Sequence, residues 1–158
     1  MRALRRKGAT VIEGGFSLPE LLAVLAMVAI AIAVGIPLVN EQVRIAEVRA
    51  AADDLALHLR AARMISVTKH KPITFTVYVD PTSTFEYEGM NGKTKHVAMP
   101  NRVRIDPASD RLILFKGNGS VAVASTIILE SNVSGARERW TASVNSVGLT
   151  TLAHARVN

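Results

Sequence analysis

Between Phe16 and Val39 the chain carries a single charged side chain, Glu20. As a helix at ~1.5 Å per residue this run is about 36 Å long, enough to cross a hydrocarbon core of ~30 Å. Beyond Asn40 the character changes. Apolar residues recur at Ile45, Val48, Ala52, Leu55, Leu59, Ala62 and Ile65, in steps of three and four, while Glu41, Arg44, Glu47, Arg49, Asp53, Asp54, Arg60 and Arg63 take other faces. That spacing predicts an amphipathic helix with one buried stripe. Only Gly35 and Pro37 interrupt the two halves. Proline inside a helix removes a hydrogen bond and bends the axis. The expectation is one long helix over residues 16–68, kinked at Pro37, membrane-embedded at one end and docked on a domain at the other.

Composition narrows what that domain can be. The chain has 158 residues, 49% of them hydrophobic and 20% charged, which excludes a disordered or collagen-like protein. It has no cysteine, so disulfides, thiolate metal sites and thiol nucleophiles are excluded. The net charge of +6 is concentrated at the start, where Arg2, Arg5, Arg6 and Lys7 are set against Glu13. The domain beyond the leader is therefore not strongly basic.

After Lys71-Pro72 the pattern turns to short β-rich runs. Residues 73–79, ITFTVYV, mix β-branched and aromatic side chains with partial alternation. Further strands are expected at 85–88, 95–99, 102–106, 111–115, 125–130, 137–144 and 149–155. Asn91-Gly92 and Asn118-Gly119 read as hairpin turns with positive φ at both residues. Strands in series after one helix predict an α+β domain, with antiparallel sheet packed on the helix stripe. The expected division is a leader (1–15), an assembly helix (16–39), an amphipathic helix (40–71) and a β-rich domain (72–158).

The N-terminus admits three readings. A secretory signal peptide could be cut after Ala31 or Ala33, but the apolar run is longer than usual and carries Glu20. A plain signal anchor would leave the basic leader cytoplasmic, yet explains neither Gly14-Gly15 nor Glu20. The third reading starts from Gly14-Gly15-Phe16-Ser17-Leu18-Pro19-Glu20-Leu21-Leu22. This stretch resembles the prepilin signal of type IV pilins and type II secretion pseudopilins. The resemblance implies cleavage after Gly15 by a prepilin peptidase, N-methylation of Phe16, and an assembly role for Glu20, the fifth residue of the mature chain. It also matches Pro37 to the proline that commonly kinks pilin helices. Beside that role, Ser17-x-x-Glu20 is a capping box, in which Glu20 helps start the helix.

The C-terminal half carries a broader resemblance. Residues 111–115 (RLILF), the turn Gly117-Asn118-Gly119-Ser120, residues 125–130 (STIILE), the basic strand 137–141 (RERWT) and the turn Asn145-Ser146-Val147-Gly148 are similar to the GspH minor pseudopilins and FimT minor pilins. Some FimT proteins bind DNA through arginines after the last glycine. Here Leu149, Thr150 and Thr151 occupy those places, so the arginines are absent. Arg137 and Arg139 lie in the preceding strand with Glu138 between them and are the candidate DNA contacts. Arg102, Arg104, Lys93, Lys95 and Arg156 could join them only if the fold gathered them on one face.

No nucleophile elbow, phosphate-binding loop or His-Glu-x-x-His motif is present. His58, His70, His96 and His154 show no metal-ligand spacing, and Asp53-Asp54 point apart on a helix. No enzyme, cofactor or metal site is expected. The reading is a minor pseudopilin of a type II secretion system. It would sit near the pseudopilus tip, in the inner membrane, with its C-terminal domain periplasmic. Its partners would be the prepilin peptidase and methylase, other minor and major pilins or pseudopilins, and the membrane. Secreted cargo or DNA has no support in the sequence. The alternatives are a FimT-like minor pilin, structural or active in DNA uptake, and a membrane-anchored domain unrelated to pili.

Overall fold

The computed structural model describes residues 17–79, 83–131 and 137–157; the side chains of residues 34–39, 41, 137, 156 and 157 lie outside that description. Helix α1 runs over Leu18–Lys69. The chain divides into two compact units, Met1–Val39 and Asn40–Asn158. The kink expected at Pro37 involves a side chain outside the described residues.

In the first unit the helix starts at the predicted cap. Leu21 N–H donates to the Ser17 carbonyl at 3.1 Å, and Ser17 N–H reaches the Glu20 carboxylate at 3.4 Å. In the second unit the predicted stripe is buried from Val48 on: Val48, Ala52, Leu55, Leu59, Ala62 and Ile65 all belong to the core, while Ile45, its first member, is half-buried. The helix ends in a left-handed cap. His70 has φ +50°, its N–H donates to the Val67 carbonyl, and Lys71 N–H reaches back to the Ser66 carbonyl at 3.2 Å. That pair of bonds satisfies carbonyls the last turn would otherwise orphan.

Among the described residues eight strands come after the helix: β1 (Ile73–Tyr78), β2 (Thr84–Glu88), β3 (Thr94–Ala98), β4 (Val103–Ile105), β5 (Leu112–Phe115), β6 (Ser125–Ser131), β7 (Arg137–Val144) and β8 (Thr150–Val157). They form two four-stranded antiparallel sheets, β3-β2-β1-β5 and β4-β6-β7-β8. The chain changes sheet after β3, after β4 and after β5. Pro100 and Pro107 stand at the first two crossings, where a residue without an N–H cannot extend a ladder. Both sheets give their alternate residues to one core with the helix stripe. Phe75, Phe85 and Phe115 are fully buried at its centre, each worth roughly 1.5–3 kcal/mol relative to exposure. Phe75 stacks on Phe85 at 5.1 Å and on Tyr87 at 5.5 Å.

The turns differ from expectation. Gly92 and Gly119 have φ +77° and +79°, but Asn91 and Asn118 do not share the left-handed region. Gly92 N–H bonds the Gly89 carbonyl, Gly119 N–H the Lys116 carbonyl, and Gly148 N–H the Asn145 carbonyl. Each is a turn closed by a left-handed glycine, the geometry of a three-residue connection with a bulge rather than a two-residue hairpin. The asparagines act through side chains instead: Asn91 Oδ1 accepts from Lys93 N–H, and Asn118 Oδ1 from Ser120 N–H and Oγ–H.

Candidate functional site

The predicted assembly residues fall in the first unit. Gly14, Gly15 and Phe16 lie outside the described residues, as does the Pro37 side chain, so only Glu20 of that set is seen. Its carboxylate turns back to the helix start. Around it Leu18, Leu21, Leu22, Val24, Leu25, Met27, Val28, Ile30 and Ile32 are all exposed. Among the described residues no helix is long and apolar enough to cross a membrane.

Of the two candidate DNA contacts only Arg139 has a described side chain, and it is paired within the domain. Arg139, on β7, gives its Nε to Glu130 at 2.8 Å and reaches Asp106 at 3.5 Å. Its hydrogen bond to Glu130 holds the guanidinium above its ordinary pKa, so its charge is answered within the domain. The side chains of Arg137 and Arg156 lie outside the described residues. Arg102 pairs with Glu47. Lys95 lies on β3 of the other sheet, and Lys93 in the turn before it.

The histidines have separate uses. His58 is buried, with Nδ1 2.8 Å from the Tyr87 hydroxyl and Nε2 3.6 Å from Asp54. Burial pushes its pKa down, Asp54 pulls it back up, and Lys95 adds to the lowering. His96 meets Glu86 at 2.9 Å, and His154 pairs with Glu138 and lies over Trp140, ring centres 4.7 Å apart. Asp53 turns to Arg49 and Asp54 to His58, so the adjacent carboxylates separate as expected. Among the described residues no group of three or more ligands could hold a metal ion.

Sequence reasoning missed the second unit's most organised surface feature. Arg63 leaves the helix between buried Ala62 and Ser66 and bridges two turns. Its Nε donates to the Gly119 carbonyl at 3.1 Å and its Nη2 to the Val147 carbonyl at 3.3 Å. The turns touch backbone to backbone: a Cβ on Gly148 (φ +80°) would stand 2.1 Å from the Gly119 oxygen, and one on Gly119 2.7 Å from Val67. Gly148 is thus required by the contact between the turns, and Gly119 by its approach to the helix at Val67. The only signal in the sequence was their position at the ends of turns. Beside this junction lies a cleft of about 570 Å³ lined by Arg60, Arg63, Met64, Val67, Leu149 and Thr150, among others. Leu149 and Thr150, which follow Gly148, therefore help line a cleft whose cations come from the helix. Trp140 is half-buried and packs against the core, although its Nε1 and the Thr150 hydroxyl find no partner among the described residues.

No protein-family model matches the chain, and no curated protein matches it. Two solved structures do, both of the type IV minor pilin FimU of Pseudomonas aeruginosa (strain PAO1) in different crystal forms. One is 17% identical and aligns over 68% of this chain and 88% of that chain with a TM-score of 0.54. The other is 16% identical, over 66% of this chain and 91% of that chain, with a TM-score of 0.52. At this identity the likeness speaks for architecture, and it shows a pilin-like α+β fold, helix packed on antiparallel sheets.

Proposed function

We propose that the chain is a structural minor subunit of a pilin-like filament, a pseudopilin of a type II secretion system placed near the filament tip. In this reading a prepilin peptidase cuts after Gly15 and Phe16 is methylated. The helix from Phe16 to Val39 holds the subunit in the inner membrane until assembly, with the domain from residue 40 in the periplasm. Residues 40–71 continue the helix into that domain, and 72–158 supply its sheets. Pro37 would bend the helix where it leaves the bilayer. Glu20 would meet the methylated amine of a neighbouring subunit, since a carboxylate in an apolar bundle is costly unless paired. The observation that carries the reading is a pilin-like fold directly following a Gly-Gly-Phe junction with glutamate at the fifth position. A second reading, a minor subunit of a type IV pilus, is favoured by the likeness to FimU. DNA uptake through Arg137 and Arg139 is the weaker version of it, because Arg139 is held by two carboxylates.

The deciding experiment is the intact mass and N-terminus of the membrane form, with and without the peptidase. A peptidase-dependent start at methylated Phe16 is expected, and Gly15→Leu should abolish it. A start at Met1 or Val34 in both strains would overturn the reading. Glu20→Ala should leave cleavage intact and lower incorporation into filaments; unchanged incorporation would leave Glu20 only its place in the helix cap.

A further inference from the structure

The two sheets have four edges, and three are closed to partners. The β5 edge is covered by the segment after it, through a Phe115–Val121 bridge and a bond from Ala122 N–H to the Leu114 carbonyl. The β4 edge is three residues long, and Ile105 N–H is taken by the Ser83 hydroxyl. The β3 edge is short and carries Lys95 and His96. Proteins close sheet edges in these ways because unpaired strands recruit other chains. The fourth edge, β8, is different. It carries His154 and Arg156, but at eight residues it is the longest of the four, and it pairs only with β7 among the described residues. The bond from Asn145 N–H to the Leu149 carbonyl sets the alternation. It turns the backbone of Thr150, Leu152 and His154 away from β7, since hydrogen-bonded and non-hydrogen-bonded pairs alternate along an antiparallel ladder; Thr150 is itself buried, so the accessible part of the edge starts at Leu152.

The Arg60–Arg63 cleft opens where this edge begins, with Leu149 and Thr150 in its lining. Its lip is apolar: Met64 and Leu149 are 60% and 56% exposed, and Val67 and Val147 are exposed beside them. Its charge is positive. Arg63 is bonded to carbonyls only, Arg60 has no ion pair among the described residues, and no acidic side chain is in the lining. Two guanidiniums one helical turn apart, facing aliphatic side chains, suit a carboxylate carried next to an aliphatic residue.

We propose that the β8 edge and the Arg60–Arg63 cleft form one docking site for an extended strand of a partner protein. The strand runs antiparallel to β8, and its end places a carboxylate on the arginines and an aliphatic side chain against Met64, Val67 and Leu149. Main-chain bonds supply affinity, and the cleft supplies specificity and direction. The site needs only the second unit's own geometry, so it holds whether or not the chain enters a filament.

The test uses the full chain in detergent micelles and a fluorescent peptide, Thr-Val-Thr-Ser-Thr-Val-Leu-Glu with a free C-terminus. Binding is expected, with slowed amide exchange at Leu152 and His154. Arg60→Glu, at an exposed position, should weaken it by about tenfold or more, and so should a peptide ending in Leu-Gln-amide, as for a lost charge-assisted contact. Arg60→Gln serves as the milder second variant. Absence of binding, unchanged exchange at those two amides, or equal affinity for the neutral peptide would each overturn the proposal. Displacement of the peptide by a short DNA duplex would overturn the choice of a protein partner. A dimer of the chain that blocks the peptide would do the same for a partner other than a second copy.

Discussion

The two halves of α1 both carry many aliphatic side chains and meet opposite fates. From Leu18 to Ala33 every described side chain is exposed, Leu25 at 55% and Ile30 at 66%. From Val48 to Ser66 one stripe is buried completely, Leu55 and Leu59 at 0%. The difference is what the chain offers each half. The second half has charges on its outer faces and two sheets against its inner one. The first is apolar all round, and no contiguous apolar surface of that kind is stable in water without a partner or an apolar medium. Hydrophobic residues mark a need for burial; where it is met depends on what else the molecule supplies.

The strongest way to break this comparison is to truncate one leucine in each half. Leu55→Ala should cost the domain about 2–5 kcal/mol, the cavity-forming range. Leu25→Ala should change domain stability by no more than ~0.5 kcal/mol, as for a surface site. Guanidinium unfolding of the full chain in detergent, followed by Trp140 fluorescence, measures both. Equal losses would mean that the first half also packs within this chain.

A smaller effect sharpens what holds the docked half. Gly148→Ala forces a Cβ to φ +80° and against the Gly119 carbonyl. It should cost about 2 kcal/mol, combining left-handed strain with the clash. Loss of the Arg63 bridge would accompany it, visible as faster amide exchange in the two turns. A neutral result would leave the apolar stripe as the sole tie between helix and turns.

The smallest effect is titration within the docked half. His58 faces Asp54 on its own helix, Tyr87 and Phe85 on β2, and Lys95 on β3. Burial lowers its pKa, so the folded chain resists a proton that the unfolded chain accepts near pH ~6.5. The unfolded state then binds more protons, and stability falls as pH drops from about 6.5 toward 5, before carboxylates contribute. His58→Gln, which keeps a hydrogen-bonding group for Tyr87, should flatten this slope; an unchanged slope would place its origin elsewhere.

Much of the fold was legible because burial writes periodicity. The stripe from Val48 to Ile65 and the eight strands could be read from spacings of three to four and of two, and the observed strand ends fall within two residues of expectation. The division into two sheets could not be read. Period-two alternation says that a strand has a buried face, not which neighbour it joins. The turns were found at the right residues with the wrong geometry, because Asn-Gly is compatible with both two-residue and bulged connections. Of the candidate site, Arg137 and Arg139 were singled out by charge alone. Glu130, on the neighbouring strand, and Asp106, 33 positions away in sequence, were invisible as the partners of Arg139.

The sequence by itself determined which segments become helix and strand, where the apolar run lies, and that its start carries a Gly-Gly-Phe junction with Glu20 at fixed spacing. These are local properties, set by side-chain type and interval. Packing settled that Arg63 clamps Gly119 to the Gly148 turn and that the cations beside β8 come from the helix. Those depend on contacts between residues 56 to 84 positions apart, and the packing that brings distant side chains together leaves no periodic trace in the chain.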